Sequence, residues 1–518
     1  MAKRQVQKPS LLVAGPGAGK TYGMAGRIAR ELPALEVNRF LAGITFTNAA
    51  CDNIREHVHR LTRPGANVFI GTIHAFANRF ILAPFAHLTG HLGNERIFGG
   101  IDVNQSIDEM EKTRQRQFTP QERNYWRARI TRSLLAQGVV THDEIIRLSL
   151  ELLKENTVSE RVCSRLQFLF IDELQDTDTR HWQLFECLLN GGRTSIDAVG
   201  DPEQYIYTFT YRMRGVRAPA FDRIPFFRFQ EQARQNENLD NRRACKEIVE
   251  FTNHFHAQLK QQSTVGSRGA PRVLFIPGTD LNITVRKFRE LYEQIPHDNR
   301  RRGRYQRFYL GYEKATFDAV SVEFGIRRLA KETHPSRTLL KSALALLALC
   351  CGASQQQVCK ELGLDEHNWR KCGFHLLCQL RDNHIQDLDG FCEFWAPRLN
   401  ISTLGAQRTA VADAFGELRD AFLTCKHAQW NDWSSSIHQA KGLEADAVLA
   451  VARSLNELIA WCETDHARRK ADKADRCRLG FVAFSRAMEL LCVSCLKPLD
   501  NKTRSHLQCL GVTLLPSA

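Results

Sequence analysis

Apolar positions along the chain fall into two kinds of run, and their alternation predicts the architecture. Short, nearly continuous apolar runs have the length and the β-branched or aromatic content of buried strands. Examples are Leu11 to Val13, Leu41 to Phe46, "NVFIGT", "LQFLFI", "TSIDAV", "PRVLFI" and "ADAVLAVA". Between them lie segments with apolar residues at helical spacing, such as "NAACDNIREHV" with Ile54 and Val58, and "TDLNITVRKFRELY". Strands alternating with helices predict parallel sheets, because a crossover helix is what joins parallel neighbours. Polar residues gather just after several of the strands, which predicts ligand binding along the carboxyl edge. Two helical stretches, 83–164 and 330–430, interrupt this alternation and read as insertions. The predicted fold class is therefore α/β, with two parallel-sheet domains each carrying a helical insertion. A basic stretch, "HARRKADKADR" from His466, reads as a mobile connector.

Composition narrows the function classes. A chain of 518 residues with 25% charged and 43% hydrophobic positions is ordinary for a protein of several domains. No apolar run reaches the length of a membrane span, and "MAKRQVQKPS" has no apolar stretch behind its basic residues, so neither a membrane partner nor a secretory leader is expected. Sixteen cysteines fit a reducing, cytoplasmic setting in which thiols serve as small core hydrophobes. Cys492 and Cys495 form a CxxC with no second pair nearby to complete a tetrahedral metal site, so core packing is the preferred reading. Net charge is +14, which favours a polyanionic partner such as nucleic acid.

The chemistry begins at "GPGAGKT" after the first strand. Gly15, Gly17 and Gly19 let the backbone curl so that its N–H groups face one anion. Lys20 would neutralise the β- and γ-phosphates of ATP, and the Thr21 hydroxyl would ligate Mg²⁺. Asp172 and Glu173 end a later strand. Asp172 would hold Mg²⁺ through water and Glu173 would take a proton from the attacking water, although acidic pairs at strand ends also serve as helix caps.

The wording around these acids, "DELQDTD", resembles motif II of the UvrD/Rep-like branch of superfamily 1 helicases. Further blocks resemble that family's motifs in order across residues 13 to 491. "TFTNAACDNIREHV" is similar to motif Ia and "GTIHAFANRFI" to motif Ib. "VGDPEQYIYTF" resembles motif III, "LDNRRACKEIVEFTN" motif IV, "SIHQAKGLEADAVLA" motif V and "RLGFVAFSRAMELL" motif VI. The resemblance implies two RecA-like P-loop domains with ATP between them, and 3′ to 5′ movement on single-stranded DNA or from DNA ends. It implies a domain 1A of residues 1–82 and 165–250 with insertion 1B at 83–164. Domain 2A would comprise 251–329 and 431–518, with a reduced insertion 2B at 330–430.

The resemblance also distributes roles. Arg243 and Arg486 would stabilise the γ-phosphoryl from the second half, and Gln204 would couple phosphate to the strand path. Gly442 and Glu444 would complete the nucleotide site. Thr47, Asn48, Thr72, His74, Phe76, Tyr207, Phe209 and His438 would face DNA. For Phe76, Tyr207 and Phe209, base stacking competes with core packing as the reading.

Departures from the family pattern matter as well. The adenine-reading glutamine block is missing upstream of the loop, and Gln5 and Gln7 have the wrong spacing to replace it. Motif III continues Thr210-Tyr211-Arg212 in place of Arg-Gly-Ala. The family's Arg after the phosphate loop and Tyr in motif IV are exchanged here, as Tyr22 and Arg242, which predicts an adenine sandwich with its faces swapped. The short insertions resemble those of compact UvrD-like proteins of bacterial defence loci. These include the helicase subunit of Gabija, whose partner is an OLD-family nuclease. A DNA-stimulated ATPase that regulates such a partner, with little unwinding of its own, is the alternative function.

Overall fold

The computed structural model describes residues 8–90, 97–98, 103–213, 217–296, 305–329, 335–364, 366–381, 384–399, 408–427 and 431–516. It divides into two compact units, residues 1–325 with 434–518, and residues 326–433.

The larger unit is built on two sheets. The first uses β1 (Ser10–Ala14), β2 (Phe40–Thr45), β3 (Val68–Thr72), β4 (Leu166–Ile171), β5 (Ser195–Gly200) and β6 (Arg234–Asn238). They lie in the order β3-β2-β4-β5-β1-β6. Every pairing among them is parallel. All six positions of β4 are buried, as a central strand covered on both faces requires. The second sheet runs β9-β8-β10-β11-β7-β12 through β7 (Val273–Ile276), β8 (Tyr305–Gly311), β9 (Asp432–Ser436), β10 (Ala445–Ala452), β11 (Ala487–Cys495) and β12 (Thr513–Leu514). Its registered pairs are again parallel. Two parallel α/β sheets of this kind are the RecA-like arrangement expected from the sequence.

Crossover helices begin where the sequence supplies caps. The Thr47 hydroxyl accepts from Ala50 N at the start of Asn48–Leu61, and the Thr72 hydroxyl accepts from Ala75 N at the start of Ile73–Ala77. Helices from Val103–Arg114 to Asn156–Arg165 interrupt the first sheet between β3 and β4. One core joins that sheet to this helical stretch through Ile44, Phe76, Phe80, Ile146, Leu169 and Trp182.

The smaller unit is helical. Its helices include Pro335–Cys350, Glu366–Arg381, Leu388–Trp395 and Arg408–His427. They enclose their own core, formed by Leu347, Trp369, Leu376, Phe391, Trp395 and Phe415.

Candidate nucleotide and nucleic-acid site

The carboxyl ends of β1, β4 and β5 bring the expected nucleotide residues together. After β1 the chain turns through Gly17 and Gly19, whose φ angles of 71° and 72° lie in the left-handed region that glycine alone adopts without strain. Helix Lys20–Glu31 starts immediately behind, so successive loop amides and the helix N-terminus make an anion nest. Lys20 Nζ stands 3.7 Å from Glu173 Oε1. Thr21 is the next helical residue and Tyr22 follows it, 55% exposed, with its ring edge-on to His57 at 5.5 Å.

The acids after β4 occupy different environments although adjacent in sequence. Asp172 is buried and its Oδ1 has no hydrogen-bond partner, which suits a cation or its bound water. Burial, and then the Glu173 charge, push the Asp172 carboxyl up to about 7. Glu173 moves the other way, because Lys20 and Lys441 outweigh its burial. Its backbone is left-handed at φ 50°, and Gln175 donates to its carboxylate. Among the described residues no group of three or more His, Cys, Asp or Glu is arranged to hold a metal by protein ligands alone. Mg²⁺ held by one hydroxyl, one carboxylate, water and phosphate is a different kind of site, and Thr21 with the open Asp172 Oδ1 fits it.

The two predicted arginines converge here from separate parts of the chain. Arg243 Nη1 donates to the Ser485 carbonyl at 3.4 Å, and its Nε lies 2.7 Å from Glu444 Oε2. Arg486 is buried, and donates to Gln204 Oε1 at 3.2 Å and to the Leu443 carbonyl at 3.2 Å. Burial, then the neighbouring Arg243 charge, lower the Arg486 pKa to about 9, which leaves it cationic at neutral pH. Gly442, at φ 81°, makes the turn that precedes Glu444.

Gln204 lies on a loop gripped from both sheets. Its Nε2 donates to Asp201 Oδ2 at 2.6 Å, and His256 Nε2 lies 2.9 Å from Asp201 Oδ1. Burial opposes the Asp201 charge, but His256 more than offsets it and the pKa falls. From the second half, Lys441 donates to the Gln204 carbonyl at 2.8 Å and to Asp176 Oδ2 at 2.7 Å. Arg478 Nε donates to the Tyr205 carbonyl, and Asp475 accepts from Thr208 N. Arg469, 2% exposed, pairs with Glu203 at 2.7 Å. The stretch from His466, expected to be a mobile connector, is thus a short helix, His466–Ala471, anchored by a buried arginine. Its charges read as solvated in sequence, yet a buried carboxylate captures one of them.

Tyr207 and Phe209 are half-buried and 5.9 Å apart. Phe209 is edge-on to His438 at 4.9 Å, which in turn meets the exposed Tyr312 at 6.0 Å. Phe76 is a correction. It is fully buried against Phe69 and Phe80 and leaves no ring face for a base. His74 forms a histidine group with His142 at 4.9 Å and His181 at 5.5 Å. Burial, then the neighbouring His181 and His142, push its imidazole down to about 4. Thr47 and Thr72 sit with their caps at adjacent strand ends, and Asn48 opens the helix after Thr47. Gln5 and Gln7 lie outside the described residues.

Comparison with known proteins agrees with this layout. The AAA domain family model (AAA_19) matches residues 2–210. The Gabija protein GajB of Bacillus cereus (strain VD045) is 25% identical over 264 residues, 50% of this chain and 49% of that one. ATP-dependent DNA helicase Rep of Salmonella typhimurium is 28% identical over 247 residues, 41% of this chain and 36% of Rep. ATP-dependent DNA helicase PcrA of Staphylococcus aureus (strain NCTC 8325 / PS 47) is 26% identical over 245 residues, 40% of this chain and 33% of PcrA. Over this part of its length the chain is similar to UvrD/Rep-like helicases. It spans about half the length, or less, of these curated relatives.

Within this UvrD/Rep-like site, several residues carry contacts that sequence reading left without a role. Asp176 stands inside the quoted "DELQDTD" and Lys441 inside motif V, so their block membership was a signal. Arg469, His256 and Gln261 had none. Tyr22 and Arg242 are both exposed, and Arg242 adjoins the phosphate loop through its backbone N–H to the Gly17 carbonyl at 2.9 Å. Its guanidinium pairs with Asp240 at 3.2 Å. Among the described residues no helix is long and apolar enough to cross a membrane.

Proposed function

We propose that this chain is an ATP-dependent DNA translocase or helicase, moving 3′ to 5′ on single-stranded DNA as its resemblance to UvrD/Rep-like motors implies. The observation that carries the reading is that Arg486, from the far part of the chain, reaches Gln204 while Arg243 contacts the Ser485 carbonyl beside it, next to the Lys20 and Glu173 pair. In this reading 1–82 with 165–250 and 251–329 with 431–518 are domains 1A and 2A, and 83–164 and 330–430 are their insertions.

Phosphates would rest on the amides after Gly15, with Lys20 as countercharge. Thr21 and Asp172 would hold Mg²⁺, which supplies charge neutralisation to the phosphates when bound. Glu173, kept ionised by Lys20, would accept a proton from the attacking water. Arg243 and Arg486 would stabilise charge developing on the γ-phosphoryl. Gln204 shares its loop with Tyr207 and Phe209, so a shift at the phosphate reaches the aromatic cluster within a few residues. Those rings, with His438, would meet bases, and His74, Thr47, Asn48 and Thr72 would line the strand path.

The test is ATP turnover with and without single-stranded DNA, together with displacement of a labelled strand from a 3′-tailed duplex. Turnover indifferent to DNA would sink this reading. Weak displacement with strong stimulation would favour the second one, a DNA-stimulated ATPase that controls a partner nuclease. The similarity to the Gabija protein GajB favours that alternative, with an OLD-family nuclease as the partner in a hetero-oligomer and the cytoplasm as the site of action.

A further inference from the structure

The phosphate loop is held from behind by Asn241 and Arg242 of the motif IV block and, outside that block, by Asn238 and Gln261. Three consecutive loop carbonyls are occupied by donors from residues 238–261. The Pro16 carbonyl accepts from Asn241 Nδ2 at 3.0 Å and from Gln261 Nε2 at 3.1 Å. The Gly17 carbonyl accepts from Arg242 N at 2.9 Å, and the Ala18 carbonyl from Asn238 Nδ2 at 3.1 Å. A peptide whose carbonyl is fixed has its opposite N–H direction fixed as well, because the unit is planar. Clasping the carbonyls therefore sets the amides that face an anion.

Gln261 is the outermost part of this clasp. It is 7% exposed, and its amide also donates to the Asp240 carbonyl at 3.3 Å. Its own backbone N–H donates to Asn253 Oδ1 at 2.9 Å, so the residue is fixed at both ends. It packs so closely on the loop that a Cβ at Gly15 would stand 2.6 Å from its Cδ and Oε1. The φ of Gly15 is not in the left-handed region, so space against Gln261, rather than backbone conformation, is what requires glycine there.

We infer that Gln261 is a positioning residue for nucleotide binding, acting through the Pro16 carbonyl to pre-set the phosphate cradle, and that Gly15 is glycine to admit it. The inference rests on the ATP-site reading above. Its ligand is the di- or triphosphate of a nucleotide.

The experiment measures binding of ADP and of a non-hydrolysable ATP analogue to the full chain, with kcat, KM and thermal midpoint in parallel. Gln261→Ala removes one donor while Asn241 keeps the carbonyl partly satisfied. It should raise Kd and KM about three- to ten-fold, the range set by one net hydrogen bond, with kcat within two-fold of the parent. Gly15→Ala should push the Gln261 amide away and lose affinity to the same degree. Because both changes break one contact, Gly15→Ala with Gln261→Ala should bind no worse than the weaker single variant. Gln261→Glu keeps the shape, cannot donate, and adds an anion beside the loop. It should bind at least as poorly as Gln261→Ala, and it supplies the reading if that variant lowers the thermal midpoint. Parental Kd in both Gln261 variants, or losses that multiply in the double variant, would overturn the inference. Lys20→Ala separates the two levels. If it abolishes binding while Gln261 variants bind normally, only the positioning role fails. If Lys20→Ala itself binds nucleotide normally, the site reading fails.

Discussion

Lys441 and Asp176 form a buried ion pair across the two halves of the larger unit, with Nζ 2.7 Å from Oδ2 and both side chains less than 10% exposed. The same ammonium holds the Gln204 carbonyl and lies 4.9 Å from the centre of the Tyr207 ring. One cation thus ties the acidic block after β4, the Gln204 loop and the aromatic cluster to the turn before β10. Removing one partner strands a buried charge, so Lys441→Ala should cost about 3–5 kcal/mol in chemical denaturation. Pairing Lys441→Met with Asp176→Asn removes both charges and should recover most of that loss. If the double variant is as unstable as Lys441→Ala, the pair is not what holds these segments.

At the chemical centre, Glu173→Gln should retain nucleotide binding and lose turnover by about 10² or more, the usual worth of a general base. Equilibrium binding and steady-state hydrolysis on the same preparation check it. Native turnover in this variant would assign the proton to another group.

Arg243→Ala should depress kcat more than it raises KM, because the charge it answers develops only as the γ-phosphoryl transfers. Arg486→Ala should do the same, with an added stability loss because its buried carbonyl and Gln204 acceptors lose their donor. A pure KM effect in Arg243→Ala would make it a ground-state binding residue.

The exchanged adenine contacts give a reciprocal test. Tyr22→Ala and Arg242→Ala should each raise KM for ATP several-fold, since ring and guanidinium stacking contribute very roughly 0.5–2 kcal/mol each. Tyr22→Arg with Arg242→Tyr should restore much of the loss. Both alanine variants binding ATP normally would leave Tyr22 as a partner of His57 only and Arg242 as a partner of Asp240 only.

His74 predicts a pH dependence. Its folded pKa, pushed down to about 4, lies below the ordinary 6.5. The unfolded chain therefore binds a proton that the folded chain refuses between those values. Its stability contribution is fully present above about pH 6.5 and is lost as pH falls towards 4, by up to about 2–3 kcal/mol. His142, His181, Asp143 and Asp178 are the titratable groups that act on it. His74→Gln should flatten denaturation midpoints over that window relative to the parent. Parallel curves for the two proteins would contradict it.

The nucleotide site was largely legible because its signals are local. A buried strand, a glycine turn and Lys20-Thr21 lie within a dozen residues, as do β4 and Asp172-Glu173. What stayed illegible depends on partners far along the chain. Arg469 looks solvated in "HARRKADKADR" until Glu203, more than 260 residues away, is placed against it. Gln261 sits in no motif, and its role comes from the Pro16 carbonyl. Phe76 was readable in principle: Phe76 and Phe80 stand four apart, the spacing of one buried helical face, but the motif resemblance drew the ring towards DNA.

Glu173 carries a side chain in a backbone region that costs a non-glycine residue about 1 kcal/mol or more. Asparagine tolerates that region better, so Glu173→Asn should relieve that strain, partly offsetting the lost Lys20 pairing, while losing turnover by about 10² or more. Directed evolution for heat resistance alone would consequently do little to exclude inert proteins at this position. Any library aimed at a hardier form of this chain therefore has to hold residue 173 fixed and look for its gains elsewhere.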